Sequence, residues 1–167
     1  MTQHNSSIYE HVQQDGLALR HVHESLLTAD LCLAAVQQNG WALQHVPEPL
    51  RTAEICFAAV QQDVEALEHV PARLRTAGLC FVAVQQDGWV LRHVPDPLRT
   101  AELCFVAVHL NGGALEFVPV PLRTAEICLA AVQQDPDARE YVPAALLAEI
   151  EARLSAPAKL PPATPSM

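Results

Sequence analysis

The chain has 167 residues, half of them hydrophobic and 17% charged, with a formal net charge of −9. This length and composition are typical of one ordinary domain with a large core. Lys159 is the only lysine among ten basic residues and no basic run occurs, which disfavours nucleic acid and anionic membranes as ligands. The acidity leaves room for a basic protein partner, and simple solubility is the alternative reason for the charge.

The polar N-terminus has no basic stretch followed by an apolar one, so we predict no cleaved signal peptide. The longest apolar runs of the chain are too short to span a bilayer. The default compartment is the cytoplasm, and export by a route without a cleaved signal is the alternative. We expect residues 1–7 to be disordered, 8–154 to form a single helical-repeat domain, and 155–167 to be a Pro-rich disordered tail.

One period organises the sequence from end to end. The same residue type returns every 24 residues, most clearly in Cys32, Cys56, Cys80, Cys104 and Cys128. Valine, threonine and leucine positions follow the same period. A period of this size is typical of stacked-repeat proteins. We therefore predict an all-α fold: a short α-solenoid of stacked two-helix 24-residue repeats, with a C-terminal capping helix.

Each repeat is predicted to hold a helix, a turn, a shorter helix and a Pro-containing linker. Thr52 precedes an apolar stripe at helical spacing and is a good N-cap. Phe57 is placed in that stripe, and its equivalents are expected in the core as well. Glycines after the helix, such as Gly40, are interpreted as helix C-terminal signals. Arg51, in the linker, is expected to point outward and pair with Glu54.

The repeat resembles the bacterial family catalogued as domain of unknown function 4116, across roughly residues 8 to 146. The elements that carry the resemblance are Ala35-Val36, Asn39-Gly40, Ala42-Leu43 and Leu50-Arg51, which recur in later units. Val64 and Pro136 depart from the turn glycine. The resemblance implies a repeat scaffold without a known catalytic activity, found in bacterial effectors and in proteins of unknown role, and it assigns no functional residue.

Two ladders could carry chemistry. One is the cysteine ladder, and the other is a ring position that holds His21, His45, His69 and His93 and then Phe117 and Tyr141. A mixture of Cys and His can bind zinc, and an activated thiol can act as a nucleophile. Because the ring position changes to Phe and Tyr, we predict no metal and no cofactor. A metal- or thiol-dependent effector enzyme is kept as the alternative.

Positions that vary between repeats indicate a binding surface on the short helices. We select Trp41, Gln44, Glu68, Trp89, Arg92 and Glu116. Tryptophan is common among interface hot spots, although each Trp could instead cover the core of its own repeat. The predicted function is non-enzymatic protein binding through one solenoid face, with toxin neutralisation as a specific version. We expect a monomer, with self-association through the apolar ends of the stack as the alternative.

Overall fold

The computed structural model describes residues 2–155, and it describes the side chains of residues 7–155. Over this range the fold is all-α, as predicted, and consecutive repeats pack side by side. The predicted disordered tail lies outside the described residues, apart from Ser155. The first helix begins at Thr2, earlier than the start of the first repeat near Ile8 that the sequence predicts.

Within residues 2–155, seven α-helices form one row of the stack. They are α1 (Thr2–Gln14), α2 (Ala29–Gln38), α3 (Ala53–Gln62), α4 (Ala77–Gln86), α5 (Ala101–Leu110), α6 (Ala125–Gln134) and α7 (Ala144–Ser155). Each of α2 to α6 starts after a threonine. In α3 the hydroxyl of Thr52 accepts a hydrogen bond from the amide of Ile55 at 3.3 Å. The threonine N-cap predicted from the sequence is confirmed.

The second helix of each repeat is a 3-10 helix of six residues. These helices are Gly16–His21, Gly40–His45, Val64–His69, Gly88–His93, Gly112–Phe117 and Pro136–Tyr141. The side chain of Asn39 caps the second of them by accepting from the amide of Trp41 at 3.0 Å. A segment of six residues can form only a few α-helical hydrogen bonds. Short connecting segments commonly adopt the 3-10 helix instead, which has three residues per turn.

Five shorter 3-10 turns complete the linkers. They span Glu24–Leu26, Glu48–Leu50, Ala72–Leu74, Asp96–Leu98 and Val120–Leu122. A proline precedes each of the last four and ends the preceding segment, as the sequence predicts. Each repeat is therefore an α-helix, a 3-10 helix and a 3-10 turn.

The core lies between the row of α-helices and the row of six-residue 3-10 helices. Each 3-10 helix packs against the α-helix of its own repeat and, across most junctions, against that of the next. All five cysteines are fully buried and unpaired, which confirms that they serve as small core residues. A single repeat cannot bury the apolar side of its own helices, so neighbouring repeats stabilise one another.

The prediction that the phenylalanines of the α-helices belong to the core is wrong for Phe57 and Phe105, which are exposed, whereas Phe81 is partly buried and packs against the core. The buried stripe of α3 is Ile55, Cys56, Ala59 and Val60. Phe57 lies beside this stripe and is 42% exposed. Successive residues of an α-helix are about 100° apart around its axis. The pairs Ile55-Cys56 and Ala59-Val60 already occupy the side of α3 that faces the core, so Phe57 lies outside that side.

The glycine after each helix does not have the conformation of a C-terminal signal. Among the described residues, no glycine has a positive φ. Gly40 is instead the first residue of a 3-10 helix, and a Cβ there would lie 2.5 Å from the main-chain oxygen of Ala59 in the next repeat. Where glycine occupies this position, the close packing between repeats leaves no room for a Cβ. Val64 occupies this position at the α3–α4 junction, where the packing is less extensive than at neighbouring junctions.

The linker arginines turn inward rather than outward. Arg51 donates to the main-chain oxygens of Val46 and His69, both at 2.8 Å, and of Gln44 at 3.4 Å. The expected pair with Glu54 does not form. A guanidinium has five donors in a planar fork, so it can bind several carbonyls at the ends of two helices at once. The arginine thereby connects one repeat to the next.

Candidate binding faces

The two predicted tryptophans pack against the next repeat. The Trp41 ring lies edge-on to His69, with ring centroids 5.4 Å apart. Trp89 lies edge-on to Phe117 at 5.1 Å. Trp41 is 36% exposed, whereas Trp89 is half-buried. Both rings therefore contribute to the contact between repeats, and only part of each ring faces solvent.

The other predicted residues also lie on the row of 3-10 helices. Arg92 forms an ion pair with Glu65 of the preceding repeat, which also contacts the ring of His93 at 3.2 Å. Gln44, Glu68 and Glu116 are exposed. Their main-chain oxygens accept hydrogen bonds from the linker arginines. The structure thus brings the predicted set onto one face, which is polar and of mixed charge.

A second face, formed by the α-helices, carries bulky apolar side chains at equivalent positions of successive repeats, which the sequence interpretation assigned to the core. We call these side chains the apolar ridge, and it consists of Leu33, Phe57, Phe81, Phe105 and Leu129. Phe57 and Phe105 are 42% and 37% exposed, and the other three are partly buried. Helices pack about 8–10 Å apart, so the ridge extends for about 35 Å.

Helix α5 adds further apolar surface to this face. Five other helices of the row, α1 to α4 and α6, end in Gln-Gln, but α5 ends in His109 and Leu110. Leu110 is 45% exposed. The ring of His109 stacks on Phe105, with centroids 6.2 Å apart and planes 8° from parallel. This departure makes one repeat of the α-helix face different from the others.

Among the charged side chains Asp, Glu, Lys and Arg, helices α2 to α6 carry only acidic ones. Their carboxylates, which we call the acidic row, are Asp30, Glu54, Glu102 and Glu126, all in the first helical turn. All four are exposed. No Lys or Arg occurs in α2 to α6. The α-helix face therefore combines an apolar ridge with an uncompensated acidic row.

The cysteine thiols are poorly placed for chemistry. Burial raises the pKa of Cys32 and of Cys104 to about 11. Burial also raises the pKa of Cys80, an effect that the nearby Arg75 opposes. A nucleophilic cysteine needs a lowered pKa and a partly exposed position. These thiols are instead buried, and burial raises their pKa values.

The histidine ladder is a packing position. Burial lowers the pKa of His69, and its Nε2 is buried without a hydrogen-bond partner. The pKa of His45 is lowered by burial and by the positive charge of Arg20. Across residues 7–155, no group of three or more His, Cys, Asp or Glu side chains is arranged to hold a metal ion. The ladder thus places rings between repeats.

A cavity of about 410 Å³ opens at the N-terminal end of the stack. Its apolar lining includes Ile8, Val12, Val22 and Leu26, and His11 lies at its wall. The cavity lies within the first repeat of the described stack. It is also the end surface named above as an alternative route to self-association.

Among the described helices, none is long and apolar enough to cross a membrane.

Comparison with known proteins identifies the repeat. A family model described as Domain of unknown function (DUF4116) matches residues 8–51 and again residues 30–75. No curated protein and no solved structure matches the chain. The 24-residue period continues in register beyond the matched segment. Residues 8–75 are therefore similar to the repeats described as Domain of unknown function (DUF4116).

Proposed function

We propose that this protein is a non-enzymatic binding module that holds another protein against its α-helix face. The observation that carries the proposal is the apolar ridge. Soluble proteins rarely expose a contiguous row of large apolar side chains unless a partner covers it. Phe57 and Phe105 are the most exposed members of the ridge, and Leu110 adds an exposed apolar side chain beside it.

The ridge stands on a well-packed support. The side chains beneath it are fully buried, and no polar or charged residue is buried among the described side chains. Residues that project from packed helices lose little conformational freedom on binding, which favours affinity. Stacked repeats commonly present such extended surfaces.

The remaining groups favour binding over catalysis. The thiols are buried and have raised pKa values. The ring position contributes packing contacts such as that of Trp41 with His69. Catalysis normally depends on a single asymmetric group of residues, whereas these residues recur with the repeat.

Affinity capture from extracts of the source cell tests this function. The baits are the wild type, a ridge variant with Phe57→Ser and Phe105→Ser, and a 3-10-face variant with Gln44→Ala, Glu68→Ala and Glu116→Ala. Both substituted sets are exposed, so circular dichroism should show folded proteins in each case. We expect one protein to be captured stoichiometrically by the wild type and by the 3-10-face variant, and to be lost with the ridge variant.

A conservative variant provides a further control. Phe57→Leu places at this position the residue that the chain itself has at Leu33 and Leu129. It should retain the partner with modestly lower affinity. Loss of the partner with the 3-10-face variant alone would assign binding to the face predicted from the sequence and would contradict the proposal.

A further inference from the structure

We infer that the partner segment held by the α-helix face is a basic amphipathic one, with apolar side chains flanked by Lys or Arg. This inference rests on the proposed function and specifies the chemistry of the partner. Its basis is the distribution of charge over the two faces of the stack. A ridge without charged neighbours would accept any apolar segment, whereas this ridge is bordered by carboxylates.

The positive charges lie away from the central helices of the α-helix face, α2 to α6. Every described arginine belongs to a 3-10 helix, a linker or α7. The linker arginines, such as Arg51 and Arg99, donate hydrogen bonds to main-chain oxygens. Helices α2 to α6 contain the acidic row and no Lys or Arg. Positive charge is therefore excluded from α2 to α6, whereas the row of 3-10 helices carries charges of both signs.

The acidic row borders the apolar ridge. Glu54 and Phe57 are three residues apart on α3, so they are neighbours on the same side of the helix. Glu102 and Phe105 have the same relation on α5. Among the described side chains, none of the four carboxylates has a cationic partner within 4.0 Å. Cationic groups on a partner would meet these carboxylates when its apolar side chains contact the ridge.

First-turn carboxylates also interact favourably with the helix dipole, and that effect alone could account for their position. Helix α4 argues against a strict structural requirement, because it has Gly78 where the other four have an acid and it remains helical. The dipole accounts for the tolerance of acids in the first turn. It does not account for the exclusion of Lys and Arg from the rest of the exposed surface of these helices.

A second copy of the chain is a poor occupant of this face. Two α-helix faces placed together would bring one acidic row near the other, and like charges across an interface disfavour binding. An anionic membrane is disfavoured for the same reason. A cationic amphipathic helix laid along the ridge meets both the apolar and the acidic requirement.

The test uses the full chain and a defined probe. The probe is a fluorescein-labelled amphipathic helical peptide of about 18 residues built from Leu and Lys, compared with a peptide in which Gln replaces each Lys. Fluorescence anisotropy gives Kd at low and high salt. One variant neutralises the acidic row by Asp30→Asn, Glu54→Gln, Glu102→Gln and Glu126→Gln. The matched control neutralises four exposed carboxylates elsewhere by Glu24→Gln, Glu68→Gln, Glu116→Gln and Glu140→Gln.

We expect the acidic-row variant to bind the Leu/Lys peptide about tenfold more weakly than the wild type, with a shallower dependence on salt. The matched control should change Kd less than about twofold, since both variants carry the same net charge. Equal weakening by the two variants, or no binding of the Leu/Lys peptide, would overturn the inference. Thermal melts confirm that each variant is folded.

The ridge variant separates this inference from the proposed function. If both peptides bind the wild type equally and both are lost with Phe57→Ser and Phe105→Ser, the ridge binds partners but the inference of a basic partner is wrong. If the ridge variant binds both peptides as the wild type does, the α-helix face is not the binding site and both proposals fail. Light scattering that shows a dimer dissociated by the same two substitutions would assign the ridge to a second copy and overturn the inference.

Discussion

Arg51 Nη1 donates a hydrogen bond to the main-chain oxygen of His69 at 2.8 Å, eighteen residues further along the chain. Its Nε donates to Val46 in its own repeat, also at 2.8 Å. Arg75, Arg99 and Arg123 repeat this arrangement at the following junctions. Each arginine therefore satisfies carbonyls that the ends of two successive 3-10 helices leave unpaired. The contact between repeats is polar as well as apolar.

Arg75→Gln should lower the free energy of unfolding by about 2 kcal/mol, because hydrogen bonds from a charged donor to three main-chain oxygens are lost. Arg73 supplies the matched control two residues away. It is exposed and pairs only with the exposed Glu48, so Arg73→Gln should change stability by about 0–1 kcal/mol. Urea unfolding measures both. Equal effects of the two substitutions would show that the carbonyl contacts do not stabilise the stack.

Two glycine substitutions should have opposite effects. Gly40→Ala places a Cβ 2.5 Å from the main-chain oxygen of Ala59, so we expect a loss of about 1–3 kcal/mol. Gly78→Ala places a Cβ in open space on α4 and should raise stability by about 0.5–1 kcal/mol. Thermal and denaturant unfolding of the pair provide the measurement. Stabilisation by both substitutions would contradict the close packing described between repeats.

His69→Phe should stabilise the protein by about 1 kcal/mol. The substitution removes a buried Nε2 that has no hydrogen-bond partner, and it places under Trp41 the ring type that Phe117 provides under Trp89. His69→Ala is the control, since it removes the nitrogen together with the ring contact and should destabilise. A loss of stability in the Phe variant as large as that in the Ala variant would indicate that the nitrogen is satisfied in solution.

The same substitution should alter the pH dependence of stability. Burial holds the pKa of His69 below its ordinary value of 6.5, so the unfolded chain binds a proton at a higher pH than the folded one. The contribution of His69 is therefore present above pH 6.5 and is lost as pH falls through the lowered pKa. Denaturant unfolding across this range should show a smaller loss in His69→Phe. An unchanged slope would show that His69 titrates normally in the folded state.

Cys80→Ser should lower stability by roughly 1–3 kcal/mol, because a hydroxyl would replace a buried thiol without a new hydrogen-bond partner. The native thiols should also react with a thiol reagent only on the timescale of unfolding, since all five cysteines are fully buried. A negligible change in melting together with rapid labelling would mean that the cysteine ladder is exposed.

The 24-residue period predicts most of the fold because the repeated residues have distinct physical roles. Thr52 caps a helix, Cys56 and Val60 fill the core, and Pro71 ends the 3-10 helix before it. The 3-10 character of the second helix could not be predicted in the same way. Its six residues are too few for helical periods of 3.0 and 3.6 to be distinguished by apolar spacing.

The candidate site was only partly predictable. Trp41 and Trp89 lie on the row of 3-10 helices, and their contacts with His69 and Phe117 depend on how the next repeat packs, which the sequence does not show. The exposure of Phe57 was missed, because an apolar stripe wider than half the helix gives no sign of which edge is left uncovered. The exclusion of Lys and Arg from five helices was visible in the sequence and would have indicated that face.

The central claim is that the partner lies on the α-helix face, and hydroxyl-radical footprinting of the captured complex tests it most directly. Phe57, Phe105 and Leu110 report on that face, and Trp41 reports on the 3-10 face with comparable exposure in the free protein. We predict strong protection of the first three side chains and little change at Trp41. Protection of Trp41 with unchanged oxidation of Phe57 and Phe105 would contradict the account.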